Sequence, residues 1–93
     1  MAGCGSSTNA AVSNCDSVVT NDFCPRAVDD CGYYSFSACV SDAEAQLGCG
    51  GVIDYSSTTL DTCDYDINTY SCGSLFYADG TVLVPSSCQS AFY

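Results

Sequence analysis

A chain of 93 residues with eleven acidic side chains, a single basic one (Arg26) and no Lys or His carries a formal net charge of −10. That balance excludes partners held through Lys and Arg, namely nucleic-acid phosphates and anionic lipid head groups, and the lack of His removes the commonest general base and the usual nitrogen ligand of a metal. The length allows one small domain that buries roughly 60 to 65% of its unfolded surface, so nine cysteines mark a disulfide scaffold, while a 47% hydrophobic composition is too apolar for a solvated tail.

Residues 1–8, rich in Gly and Ser, are expected to form a flexible tether, and residues 9–93 a single disulfide-rich domain. The fold expected is mainly α: a small disulfide-stapled bundle of three to four short helices with a C-terminal β-hairpin as an option. Val12, Cys15, Val19, Phe23, Ala27 and Cys31 recur at three- and four-residue steps, which predicts a first helix with one buried face. Pro25 predicts a kink or break near residues 22–24, with a second helical piece over residues 25–31 that Gly32 ends. The stretch YYSFSACVSDAEAQLG predicts a second helix with Ser35 or Ser37 as N-cap, Phe36, Cys39, Val40, Ala43 and Leu47 on one stripe, and Gly48 as its stop.

After an extended piece over residues 52–55, SSTTLDTCDYDINTYSC places Leu60, Cys63, Ile67 and Tyr70 at helical spacing behind a Ser/Thr cap, with Asp61 and Asp64 near the positive end of that third helix. Asp79-Gly80 between two apolar runs signals a two-residue hairpin turn of type I′. The alternative is a short helix around residues 72–77 followed by an irregular tail pinned by Cys88. No stretch approaches the ~18 apolar residues of a membrane span.

Cys4 differs from the other cysteines because the small polar run around it offers nothing to pack a bridge against. Ala2-Gly3-Cys4-Gly5 resembles the end of a bacterial lipobox, where a signal peptide is cut before a cysteine that then carries diacylglycerol. On that reading Met1 stands in for the removed export segment. The competing readings are a free thiol or an intermolecular bridge.

Setting Cys4 aside leaves Cys15, Cys24, Cys31, Cys39, Cys49, Cys63, Cys72 and Cys88, an even set able to close four bridges. No C-x-x-C occurs, which argues against a zinc or iron–sulfur cluster and against a thioredoxin-like pair. Bridges that join the ends of neighbouring helices would pair Cys31 with Cys39 and Cys49 with Cys63, leaving Cys15, Cys24, Cys72 and Cys88 to tie the first helix to the C-terminal segment.

Other motifs favour their plain readings. Residues 64–68, DYDIN, imitate a calcium loop, but Thr69 and Leu75 occupy the positions that need Gly and a carboxylate, so a solvated helix face is expected. Asp29 and Asp30 are adjacent on a helix and point apart; one is expected to pair with Arg26 and the other to face water. Nucleophiles are plentiful, but there is no His or Lys to take their proton and no G-x-S-x-G turn, so no catalytic residue is assigned and no enzymatic activity is expected. Tyr33, Tyr34, Tyr55, Tyr65, Tyr70, Tyr77 and Tyr93 serve either as half-buried covers over the bridges or as an interface, with covering the commoner use.

Across the chain, the spacings C-x8-C, C-x6-C-G and C-x7-C, a Leu-Gly-Cys turn, LDTCDYDI and a late DG…PSSC resemble cysteine-rich bacterial lipoproteins of myxobacterial type. The resemblance implies a location, exported and at the outer membrane, cell surface or outside the cell, and no particular activity. The expectation is a non-enzymatic binding or structural module with no cofactor and no metal, reaching a membrane only through a lipid on Cys4. Its partner would be another protein or a second copy of itself. A carrier of a small apolar ligand between the helices and a secreted toxin or inhibitor are the alternatives.

Overall fold

The computed structural model describes residues 10–93. Helix α1 (Ala10–Ser17) runs without interruption into two π-helical stretches, Val18–Phe23 and Arg26–Asp30. The expected break at Pro25 does not occur, since Cys24 (φ −70°, ψ −35°) and Pro25 (φ −58°, ψ −40°) both keep right-handed helical angles. The hydrogen bonding explains why. Cys24 N–H donates to the carbonyl of Val19, five residues back, and Cys31 N–H likewise to Arg26. A turn widened in this way eases the clash between a proline ring and the carbonyl four residues before it. Gly32, at φ +77°, then turns the chain out of the helix.

Helix α2 (Phe36–Leu47) starts where Ser35 Oγ accepts from Ala38 N–H at 3.2 Å and stops at Gly48, whose φ of +65° lets its N–H return to the Glu44 carbonyl at 2.9 Å. Cys39, Ala43 and Leu47 form its buried stripe, whereas Phe36, expected on that stripe, is 44% exposed. A 3-10 turn (Cys49–Gly51) leads to an extended segment that pairs antiparallel with the chain end: Ile53 and Asp54 N–H donate to Tyr93 O, Tyr93 N–H to Asp54 O, and Ser56 N–H to Ala91 O.

Helix α3 (Ser57–Thr69) is capped by Ser56 Oγ, which accepts from Thr59 N–H, and buries Cys63 and Ile67. Its partner is the short α4 (Ser86–Ala91), with Ser87 Oγ donating to Asp66 at 2.6 Å and Cys88 bridged to Cys63.

Between these helices the chain makes a 3-10 turn (Cys72–Leu75) and a narrow hairpin bridged at Phe76 and Val82, so each of the two readings of this segment describes one part of it. The turn is not type I′. Ala78 and Asp79 keep negative φ, and Gly80 at +91° closes a three-residue loop through Gly80 N–H to Tyr77 O and Tyr77 N–H to Thr81 O. Asp79 selects this form because its carboxylate accepts from both N–H and Oγ of Thr81 across the loop. No regular strand forms among the described residues. The molecule is therefore a mainly helical, disulfide-stapled bundle around Val19, Phe23, Ile67, Leu75, Val82 and Val84, all essentially fully buried.

All eight cysteines of the described region are paired, as Cys15–Cys49, Cys24–Cys39, Cys31–Cys72 and Cys63–Cys88, with Cα separations of 4.6 to 5.8 Å. The expected Cys31–Cys39 and Cys49–Cys63 pairs are thereby corrected. The turn after Gly32 carries α2 back along the first helix, so the start of α2 meets Cys24 instead of Cys31, and its end meets Cys15. These two bridges are rungs of one antiparallel helical hairpin. Cys31, freed from that corner, alone ties the first helix to the C-terminal segment, and Cys88 stays local to α3.

Candidate functional site

Three of the bridges lie inside, with Cys15, Cys24, Cys39, Cys63 and Cys88 0% exposed and Cys49 5%, while Cys31–Cys72 is half-buried. They are structural crosslinks on which the surface sites are mounted. Cys4, with its proposed lipid or intermolecular bond, lies outside the described residues, as does the 1–8 tether.

One surface feature is an open polar cleft of about 260 Å³, lined by Asn21, Asp22, Pro25, Arg26, Asp29, Asp30 and Asn68. Arg26 is committed internally: one terminal nitrogen donates to Asp30 at 3.4 Å and the other to the Tyr70 carbonyl at 2.7 Å, at the C-terminal end of α3 where a cation offsets the helix dipole. Asp30 is thus the carboxylate that pairs with Arg26, and Asp29 is exposed on the cleft wall.

A second feature is a set of carboxyl groups meeting between helices. Glu44 on α2 faces Asp16 on the first helix. Hydrogen bonding to Asp16, then burial, then the Asp16 charge push its pKa from the ordinary 4.5 up to about 7. Asp64 on α3 faces Asp22, and burial, then the Asp22 hydrogen bond, then the charges of Asp22 and Asp61 raise it to about 6. The DYDIN stretch is indeed helical, but its carboxylates are not merely solvated, since Asp64 faces the first helix and Asp66 accepts from Ser87 on α4. Among the described residues no group of three or more Cys, Asp or Glu side chains could hold a metal ion.

The third feature is aromatic. The Tyr33 ring stacks on Phe76 at 5.6 Å between centroids and 18° between planes, and lies 4.7 Å from Tyr34. Tyr33 is half-buried and donates its hydroxyl to Asp42 at 3.4 Å. Burial first, then the Tyr34 hydroxyl and Asp42, push its pKa up to about 12, so it stays a neutral donor. Tyr34 is 81% exposed beside it, with Phe36 two residues on, and the chain neighbour of Phe76, Tyr77, is half exposed. At the loop tip Asp79 is held below the usual carboxylate range by the Thr81 hydroxyl and N–H and remains an anion.

The tyrosines divide between the two uses expected of them. Tyr33, Tyr55 and Tyr70 pack half-buried on the core, whereas Tyr34, Tyr65, Tyr77 and Tyr93 are exposed. Sequence reasoning missed the contributions of Phe76 and Asp42 to the aromatic step, and Glu44 altogether; their partners lie on other elements, and no local signal marks them. Compared with known protein families, curated proteins and solved structures, the chain finds no match. Among the described residues no helix is long and apolar enough to cross a membrane.

Proposed function

We propose that this chain is the folded part of an exported, non-enzymatic binding module, held at the cell surface by a lipid on Cys4 in the manner of the cysteine-rich bacterial lipoproteins it resembles. The observation that carries the proposal is the closure of Cys15, Cys24, Cys31, Cys39, Cys49, Cys63, Cys72 and Cys88 into four bridges that cross-link every helix. Crosslinks of this density form and persist in oxidising compartments. With the sulfur of these eight cysteines committed to crosslinks, no His or Lys in the chain and its carboxyl pairs facing other carboxyls, the module offers shape and charge in place of reactivity. The apolar-carrier alternative gains nothing from the cleft, whose walls carry carboxylates and carboxamides, or from an interior filled by Phe23, Ile67 and Leu75.

The test is intact mass with and without alkylation on protein produced with an upstream export signal. The expected result is four closed bridges and a diacylglycerol adduct on Cys4. Recovery of the eight core thiols in alkylated form would overturn the reading.

A further inference from the structure

The rings of Tyr34, Tyr33 and Phe76 make a continuous step whose outer member, Tyr34, is 81% exposed and whose middle member, Tyr33, is anchored by Asp42. A tyrosine left that far out contributes little to the core. The face of an aromatic ring is electronegative and attracts cations, the planar guanidinium of Arg best of all because it can also stack. One carboxylate touches the step directly, Asp42, which accepts from the Tyr33 hydroxyl, and Asp79 lies three residues along the chain from Phe76 and Asp30 three residues before Tyr33. Among the described residues no cationic side chain covers it, because Arg26 is bound to Asp30 and the Tyr70 carbonyl.

From this geometry and charge we infer that the Tyr34–Tyr33–Phe76 step with Asp42 is the docking surface for an arginine-rich segment of a partner protein. The inference rests on the binding-module reading and gives its partner a chemistry. Charge complementarity selects this occupant over a second copy, which would bring another net charge of −10, and over an anionic membrane.

The experiment uses the full chain with its bridges intact and a fluorescently labelled oligoarginine peptide, with an oligolysine peptide of equal length as comparison, titrated at moderate and high salt. Bulk charge alone would bind both, with an affinity that depends on net charge and salt. Docking on the step requires more: oligoarginine binds more tightly than oligolysine, and Tyr34→Leu, which keeps an apolar side chain but removes the ring, weakens oligoarginine by about two- to fivefold. Tyr65→Leu, which removes a 67% exposed ring from α3, leaves the affinity unchanged.

An affinity insensitive to Tyr34→Leu, or equally sensitive to Tyr65→Leu, overturns the inference. So does concentration-dependent growth in size that Tyr34→Leu abolishes, because the step would then be covered by another copy. Alkylation of the same sample separates the two readings. Closed bridges without ring-dependent binding count against this surface alone, whereas open thiols count against the proposed function.

Discussion

Residues 10–49 and residues 52–93 bury their apolar side chains in one core, yet they are secured differently. In the first stretch, long helices satisfy their own backbone groups and meet only through side chains, so the small residues Ala11, Ala27 and Ala43 pack closely and Cys15–Cys49 and Cys24–Cys39 tie the helices as two rungs. In the second, α3 and α4 are joined by one bridge, and much of the remaining chain is irregular, so its backbone groups need partners from elsewhere. The chain end supplies some of these through Tyr93. Gln46, reaching over from α2, supplies others: its side-chain amide donates to Val82 O and accepts from Val84 N–H at 3.0 Å. The lesson is that sulfur suits helix against helix, whereas an irregular segment is held by amide groups that imitate a neighbouring strand.

The strongest way to break the contrast is to open the bridges. Replacing both cysteines of one bridge by Ala is expected to cost ~2 to 5 kcal/mol, and loss of Cys31–Cys72, which spans 41 residues, should exceed loss of Cys24–Cys39, which spans 15, by about 1 kcal/mol on loop entropy. Urea unfolding of the two double variants measures the difference, and equal midpoints with equal slopes would mean that the chain-entropy account fails here.

Gln46→Ala tests the other half. Val82 and Val84 are buried, so their orphaned backbone groups should cost ~1 to 3 kcal/mol, with amide exchange accelerating over residues 82–85 before it does in α2. Uniform acceleration throughout would show that the two regions do not differ in this way.

A smaller effect is expected at the helix starts. Ser35→Ala and Ser56→Ala each remove a side-chain acceptor and should each cost ~1 kcal/mol in thermal unfolding. The loss at Ser35 should be the better tolerated, because α2 is also pinned by Cys39 in its first turn.

The gentlest probe is pH. Glu44 and Asp64 hold a proton more tightly in the folded chain, at about 7 and about 6, than in the unfolded one, where ordinary values of 4.5 and 3.8 apply. Their contribution to stability is therefore complete below about pH 4 and is lost as pH rises through 6 to 7. The melting temperature should fall between pH 5 and pH 8, and Glu44→Gln should flatten the upper part of that fall. An unchanged profile in Glu44→Gln would show that the Asp16 contact is not made in solution.

Each feature that could be read from the residues is decided by a few neighbours in the chain. Ser35 and Ser56 cap because the backbone N–H that donates to each hydroxyl lies only three residues on, and Gly48 and Gly32 stop helices because only a residue without Cβ adopts positive φ cheaply. The even set of cysteines announced four crosslinks. Tertiary structure alone decided which cysteines meet, because that follows from how far the turn after Gly32 carries α2 back along the first helix. Packing likewise let the first helix pass through Pro25 on widened turns, selected the three-residue loop at Asp79 through Thr81, and brought Glu44 to Asp16, Gln46 to Val84 and Tyr33 to Phe76. The physical reason is common to all of these: each depends on the free energy of contacts between segments distant in sequence, and no local spacing encodes the separation of two helices in space.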